Sequence, residues 1–426
     1  MFVSGTVFRA RAKPAWTAFV AKLDTRGHVV WFRSGLPVLM QSMTVDLHDN
    51  VYLAGGTDVG APRVRHITRT RSNYNVVVVK VGRRGHVVWA TSFGGSYMDS
   101  AASIAVDGKG DTYLTGNTSS TDFPLVHAIQ AFAPPSATNS THYSIAFIAK
   151  LNPRATRLLY CTYFGGSAGI AADGTGIAVD ADNTAYVTGE TGPPPTGQAV
   201  QTSPGPAFGS GIVVHLNARG DRVLYSTYLG GDEGVQPSAI VVDAAGHAYV
   251  TGFTPSSNFP IAHAIQSTNA VHADNAFITE LSPNGKHSVY STYLGGASDA
   301  EATAIAIDAK GAAYITGSVH ELGFPLVRPT QAFWSGDALC QDENPVIGAP
   351  LCTDAFVAKV SAHGKRLDYG TYLGGRDADV GMAISVHGSH DIYVAGWTES
   401  ASFPGIKSPS GLKDGVLRSI LVKIRL

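Results

Sequence analysis

Tyr225-Ser-Thr-Tyr-Leu-Gly-Gly231 recurs unchanged as Tyr290-Ser-Thr-Tyr-Leu-Gly-Gly296 and with one substitution as Tyr369-Gly-Thr-Tyr-Leu-Gly-Gly375. Looser copies run from Tyr160 to Gly166 and from Trp89 to Gly95, and a decayed one from Trp31 to Gly35, so that the copies stand 58 to 79 residues apart. Each leads into an apolar stretch ending in Asp, as in Ala239-Ile-Val-Val-Asp243 and Ala304-Ile-Ala-Ile-Asp308. A Tyr-Val-Thr-Gly phrase follows, at Tyr186–Gly189, Tyr249–Gly252, Tyr314–Gly317 and Tyr393–Gly396. Last comes an Ala-Phe-Val-Ala-Lys-like run, at Ala18–Leu23, Ala146–Leu151, Ala276–Leu281 and Ala355–Val360. A fixed order of phrases at a period this long is the signature of a repeat architecture.

Each phrase is short, rich in Val, Ile, Tyr, Thr and Phe, and bounded by Gly, Asp, Asn or Pro, which reads as a strand. In the order apolar-Asp, Tyr-Val-Thr-Gly, Ala-Phe-Val-Ala-Lys and Tyr-Ser-Thr-Tyr-Leu, the strands are named A, B, C and D. The A–B links (Asp243-Ala-Ala-Gly246) and C–D links (Ser282-Pro-Asn-Gly285) are short and end in Gly or Asn, the residue a bulged type I turn needs at positive φ. Each repeat is therefore a four-stranded meander, and radial arrays of such sheets are β-propellers.

The run Tyr-Ser-Thr-Tyr-Leu-Gly-Gly, Ala-Ile-Ala-Ile-Asp, Tyr-Ile-Thr-Gly and then Phe-Pro, as at Phe123-Pro124 and Phe259-Pro260, resembles the bacterial SBBP repeat, the seven-bladed β-propeller repeat of large secreted or surface proteins. The resemblance covers nearly the whole chain. It weakens in the first copy, which lacks the second Gly after Gly35, and in the last, where His387 replaces the Asp. It implies a fold and a secreted or cell-surface location, with a signal peptide upstream of this chain, and brings no catalytic residues with it.

The expected fold is thus all-β: one seven-bladed β-propeller of four-stranded antiparallel blades spanning residues 1–426, its first and last blades incomplete. The blades fall near 1–35, 42–95, 101–166, 174–231, 236–296, 302–375 and 381–426. B and C phrases number seven if Phe2-Val-Ser-Gly5 is counted, A and D phrases six, so 26 strands are expected. The absent D and A strands would directly precede Met1, and an unpaired edge facing solvent is a liability. The chain is accordingly expected to continue upstream by at least ~40 residues, most of one repeat, the alternative being a genuine start with an incompletely closed ring.

Composition narrows the function. A net charge of −1, only 15% charged residues and no Lys/Arg block argue against nucleic acid, whose phosphates need a basic face. No run approaches the ~18 apolar residues of a membrane span. The B–C links lengthen from 12 residues between Gly5 and Ala18 to 37 between Gly317 and Ala355, and all leave the same face. Long loops in a compact domain usually carry function, so a ligand is expected on that face, near the channel mouth. Several of these loops repeat Phe-Pro followed by a Gln: Phe123 to Gln130, Phe259 to Gln266, Phe324 to Gln331. The phenylalanines are read first as loop anchors and second as ligand contacts. Trp334 and Trp397 are the aromatics a sugar ligand would use, with blade packing the competing role for Trp397.

Asp107, Asp180, Asp243 and Asp308 open the A–B turns, where a carboxylate ordinarily accepts the turn's own N–H groups. Asp99, Asp299, Asp377 and Asp379 in the D–A links are the candidate metal ligands, calcium being the ion suited to carboxylate oxygens, although no D-x-D-x-D-G spacing accompanies them. Gly165-Gly-Ser-Ala-Gly169 matches a nucleophile elbow only in letters, because no helix follows it. The 15 His form no zinc spacing, and His28 with His86, and His127 with His263, are repeat equivalents. Cys340 and Cys352 flank an eleven-residue stretch of the longest loop and are a candidate disulfide in an exported protein. Cys161 reads as a small buried hydrophobe. The preferred reading is a non-enzymatic interaction or adhesion scaffold with a protein or glycan partner, monomeric or part of a larger multidomain protein. No cofactor is expected, with calcium the one ion its carboxylates suit. The rivals are a propeller lyase or glycan-active hydrolase, and a calcium-stabilised structural scaffold.

Overall fold

The computed structural model describes residues 1–8, 16–58, 64–68, 72, 74–132, 144–165, 172–191, 200–202, 209–269, 273–296, 299–320, 322–335, 353–404 and 418–426. They form 27 strands in seven sheets, each sheet a blade. The first blade is β1 (Phe2–Phe8), β2 (Trp16–Leu23) and β3 (Val29–Leu36). The second is β4 (Leu39–Val45), β5 (Val51–Asp58), β7 (Tyr74–Val81) and β8 (Val87–Phe93), with β6 (Arg65–His66) added along β8. The third holds β9 (Asp99–Val106), β10 (Thr112–Thr118), β11 (Ile145–Leu151) and β12 (Leu158–Phe164). The fourth holds β13 (Asp173–Val179), β14 (Ala185–Thr191), β15 (Ser210–Leu216) and β16 (Val223–Leu229). The fifth holds β17 (Gln236–Val242), β18 (Ala248–Thr254), β19 (Asn275–Leu281) and β20 (Ser288–Leu294). The sixth is β21 (Ala300–Ile307), β22 (Ala313–Val319), β23 (Asp354–Val360) and β24 (Leu367–Leu373). The seventh is β25 (Asp379–His387), β26 (Asp391–Thr398) and β27 (Arg418–Arg425).

This is the seven-bladed propeller the phrases predict, with three strands in the first and last blades. The 26 expected strands are present. The extra one, β6, lies in a B–C link and pairs parallel to β8 through Arg65↔Thr91 and His66↔Ser92. A single 3₁₀ turn at Ala362–Gly364 is the helical element among the described residues, and no helix there is long and apolar enough to cross a membrane.

The chain parts into two compact units, Met1–Gln198 with Ile212–Thr227, and Ala199–Gly211 with Tyr228–Leu426. In the first, apolar clusters fill the spaces between the first and second blades (Val20, Leu53, Val79), the second and third (Val78, Leu114, Phe147) and the third and fourth (Ile148, Ile177, Val214). In the second, they lie between the fifth and sixth (Ile278, Ile315, Phe356) and the sixth and seventh (Val357, Val394, Ile420). Strands held between neighbouring sheets are buried on both faces, which is why the C and D phrases are continuous apolar and Thr runs rather than alternating ones.

Two glycines explain the fixed letters of the repeat. The Gly closing Tyr-Ile-Thr-Gly faces a bulge in strand A: at Gly317 an added Cβ would stand under 3.0 Å from the Glu301 carbonyl, beside the register shift between Ala302 and Ala304. The Gly closing the C–D turn has positive φ and receives an aromatic from another blade. Gly364 (φ +66) would press a Cβ into Tyr290, and Gly85 (φ +82) one into Trp31. The A–B aspartates do cap their turns. Asp308 Oδ1 accepts the N–H groups of Lys310 (2.9 Å) and Ala312 (3.1 Å), while Tyr314 donates its hydroxyl to Oδ2 at 3.0 Å. Asp107 repeats the arrangement with Lys109, Asp111 and Tyr113.

Candidate functional site

The B–C links are rooted on their own blades by a repeated set of contacts. Phe123, Phe259 and Phe324 are buried, at 3%, 2% and 3% exposure, so their ring faces are covered by protein. Each packs on the strand C phenylalanine of its blade: ring centroids are 4.9 Å apart for Phe123–Phe147, 4.7 Å for Phe259–Phe277 and 4.5 Å for Phe324–Phe356. The second Tyr of strand D completes the clasp. Tyr293 donates its hydroxyl to Ser256 O at 2.7 Å and accepts the Phe259 N–H at 3.0 Å. Tyr163 makes both bonds in the third blade, to Ser120 O and from Phe123 N–H, and Tyr372 accepts the Phe324 N–H in the sixth.

The link then runs back along strand D, bridging Val126 to Cys161, Ala262 to Ser291 and Val327 to Gly370. His127, His263 and Arg328 follow at positive φ, equivalent places as their spacing predicts. The recurring Gln closes the root. Gln266 and Gln331 accept the N–H groups of Gly295 and Gly374 at 3.0 Å, and Gln201 does the same for Gly230. Thus the Leu-Gly-Gly ending of strand D is a docking point for the loop. The sequence shows these glutamines, but their role appears only once the link is seen folded onto strand D.

Asp99 and Asp379 are the first residues of β9 and β25 rather than members of the D–A links. Each carboxylate turns back to accept a glycine N–H at 2.7 Å, Gly95 for Asp99 and Gly375 for Asp379, which closes the turn before the strand. Both are buried, and desolvation pushes both carboxyls up to about 6. Asp299 instead meets the start of the fifth blade's strand C, accepting the Asp274 N–H at 2.9 Å. Asp377 meets Ser400 through its own backbone. The four candidates therefore fall in three blades, with only Asp377 and Asp379 together, at the entry to the seventh, where both meet Ser400; among the described residues no three His, Cys, Asp or Glu side chains are grouped to hold a metal.

A carboxylate not singled out by its sequence joins Asp379. Asp354 opens β23, is fully buried, and accepts Ser335 N–H (2.9 Å) and Gln331 Nε2 (3.2 Å) on Oδ2. Burial first, and the Asp379 charge after it, push its carboxyl up to about 7. Oδ1 of each of these two aspartates is buried without a hydrogen bond. Comparison of the repeats would have flagged it, because Asn75 and Asn275 stand at the same point of strand C.

Trp334 is half-buried against the apolar cluster of the fifth and sixth blades, its Nε1 enclosed without a partner. Trp397 lies half-buried on β26, between Val380 and Ser419 of the flanking strands. Cys161 is free and buried within β12. Cys340, Cys352 and most of the Gly165–Gly169 match lie outside the described residues.

No curated protein sequence matches this chain. Among solved structures, a protein from Lactobacillus plantarum aligns with a TM-score of 0.48 and 10% identity over 98% of this chain and 99% of that one. A polysaccharide lyase, the PL25 ulvan lyase bound to -[GlcA(1-4)Rha3S]-, aligns at 0.46 and 8% over 95% and 89%. An acylaminoacyl peptidase of Pyrococcus horikoshii aligns at 0.45 and 8% over 100% and 50%. Likeness at this level carries no chemistry from any of them to this chain. Residues 88–124 and 224–260 match the SBBP family, described as a beta-propeller repeat. Both matches run from strand D through strands A and B and stop at the Phe-Pro root of a B–C link, Pro124 in one and Pro260 in the other. The chain is a seven-bladed propeller that carries the SBBP beta-propeller repeat.

Proposed function

We propose that this chain is a non-enzymatic interaction or adhesion module, secreted or displayed at the cell surface, that takes a protein or glycan ligand on the face carrying its B–C links. One observation supports the reading: in the third, fifth and sixth blades the root of the long link is fixed in the same way while the remainder differs. After the clamping Gln, eight residues (267–274) lead to β19 but 22 (332–353) lead to β23. A rigid frame that holds loop roots and tolerates loops of any length suits recognition by those loops. Export rests on the resemblance to repeats of surface proteins.

The test compares the full chain with a variant whose residues 336–350 are replaced by a short Gly-Ser linker. Both are applied to glycan arrays and to surface-protein arrays. Binding by the full chain that the variant loses, with Tm retained, supports the reading. New reducing ends or cleaved peptide products would move the chain to the enzymes. Absence of binding together with a chelator-induced fall in Tm, restored by calcium, would leave a metal-stabilised scaffold.

A further inference from the structure

We propose that the A–B and C–D turns of the second blade form a binding site for an acidic peptide segment, one that presents two carboxylates beside an apolar side chain. This goes beyond the function proposed above, because the turns lie at the other end of the blade from its B–C link, and either idea can fail without the other. A pocket of about 770 Å³ opens there, lined by Leu47, His48, Asp49, Arg83, Arg84 and Val88 among others. That volume lies within the ~300–1,000 Å³ of ligand sites.

The walls are two hydrogen-bonded turns. Asp49 N–H donates to Asp46 O (3.1 Å) and Gly85 N–H to Gly82 O (2.8 Å), closing both turns. From the first blade, Trp31 donates Nε1 to Arg83 O at 2.9 Å and lays its ring under Gly85.

The charge in the pocket is unbalanced. Asp49 is paired with Lys22 at 2.7 Å. Asp46 is taken up by the N–H groups of His48 and Asn50, the Asn50 amide and the Tyr52 hydroxyl, with Lys80 Nζ at 3.8 Å. Arg83 and Arg84 are exposed, and among the described residues neither guanidinium has an ion pair or hydrogen bond. Two adjacent free guanidinium groups therefore stand in a chain of net charge −1, with the imidazoles of His48 and His86 beside them.

Guanidinium matches carboxylate in a two-point fork, which gives direction as well as attraction. The rim adds Leu47, 93% exposed, and Val88, 48% exposed. Apolar side chains beside arginines suit a peptide better than a sugar, which would call for an exposed aromatic ring, and none lines this pocket.

The test is fluorescence anisotropy of the full chain with a labelled peptide of alternating Asp and Leu, and with its Asn-Leu counterpart. The expected result is saturable binding to the Asp-Leu peptide, weakened at least ~10-fold by the double variant R83A/R84A and by the Asn-Leu exchange. Binding should also fall as salt rises, as exposed charges require, and several-fold in L47S. Unchanged thermal unfolding in the variants shows that the loss is local. The proposal is overturned by no saturable binding up to about 1 mM, by equal affinity in R83A/R84A, or by a sulfated oligosaccharide binding where the peptide does not.

Discussion

Asp354 and Asp379 converge on one glycine: a Cβ on Gly374 would lie under 3.0 Å from both Asp354 Oδ1 and Asp379 Oδ2. The convergence brings two fully buried carboxyls together, each with one oxygen outside any hydrogen bond. Two such groups cannot both be ionised without a large penalty, so at least one holds its proton near neutrality. The equivalent point beside Gly94 carries Asn75 with Asp99, an amide and an acid, which shows that the packing accepts a neutral group there.

The pair makes stability depend on pH in a defined direction. Carboxyls at about 7 (Asp354) and about 6 (Asp379) lie above the ordinary value, so the folded state holds protons that the unfolded chain releases. Their stabilising effect is complete below about pH 4 and is lost as pH rises through 6 to 7. Asp354→Asn should therefore stabilise the chain by on the order of 1–3 kcal/mol at about pH 8 and change little at about pH 4. Thermal unfolding across that range checks it. A Tm lowered at both ends would show that the carboxylate form is needed. A calcium-dependent rise in wild-type Tm that D354N removes would assign the pair to a bound cation.

Phe259→Ala should remove the anchor of the fifth blade's B–C link. The ring is 2% exposed and packed on Phe277 and Tyr293, so a cost of about 3–5 kcal/mol is expected, as for other buried Phe truncations. Tyr293→Phe should cost less, about 1–3 kcal/mol, because it keeps the ring and leaves the Phe259 N–H and Ser256 carbonyl without their shared hydroxyl. Denaturant titration of both variants gives the order, and equal stabilities would show that the loop is not held through this clasp.

Gly317→Ala and Gly388→Ala separate a collision of the added Cβ with backbone from the strain of positive φ alone. At Gly317 the new Cβ would collide with the backbone of strand A, which cannot move without losing the bulge. A cost above ~3 kcal/mol is expected, beyond the usual range for a point change. Gly388 has nothing within 4 Å of the added atom and only its φ of +64 to strain, so about 1 kcal/mol should be lost. Thermal unfolding of the two proteins measures the difference. A smaller loss at Gly317 would mean that the bulge yields.

These comparisons mark what the letters carry and what they do not. Strand order, hairpin links, turn-capping aspartates and incomplete end blades follow from local chemistry repeated seven times, so each copy corrects the reading of the next. The phenylalanine anchors followed too, because Phe-Pro recurs at fixed distance from strand B. The pairing of Asp354 stayed hidden because its partner, Asp379, stands 25 residues away in another blade and the two meet only at Gly374 in the folded chain. Arg83 and Arg84 are likewise ordinary turn residues until Lys22 and Lys80 are seen to neutralise the acids around them. Spacing reports what one strand does; pairing between blades is set by the fold.

Glu280 is the position where the repeat departs furthest from its own rule. Strand C ends in Lys at five blades, and each ammonium lies over the strand B aromatic: Lys22 over Phe2, Lys80 over Tyr52, Lys150 over Tyr113, Lys359 over Tyr314 and Lys423 over Tyr393, at 4.5 to 5.2 Å from the ring centroid. Such cations also meet the acids of the A–B turn, as Lys150 does Asp111 at 3.0 Å. The fourth blade substitutes His215, stacked on Tyr186 with centroids 3.9 Å apart and driven by burial down to about 4, hence uncharged at neutral pH. In the fifth, Glu280 is fully buried, neither oxygen has a hydrogen bond, and the His363 imidazole stands with Nδ1 3.5 Å from Oε1. Burial pushes its carboxyl upward, with Asp243 adding in the same direction and His247 and His363 opposing. A group raised in the folded state stabilises fully below its unfolded value and loses that contribution as pH climbs through the folded one. Glu280→Lys should therefore raise Tm at neutral pH by several degrees, about 1–2 kcal/mol, by restoring a cation over Tyr249 and beside Asp243. Glu280→Gln should lie between it and the wild type, with its advantage growing from about pH 4 upward. If instead E280K and E280Q both fall below the wild type, and His363→Ala falls with them, the Glu280–His363 contact is a stabilising ion pair, and the carboxylate belongs where it is.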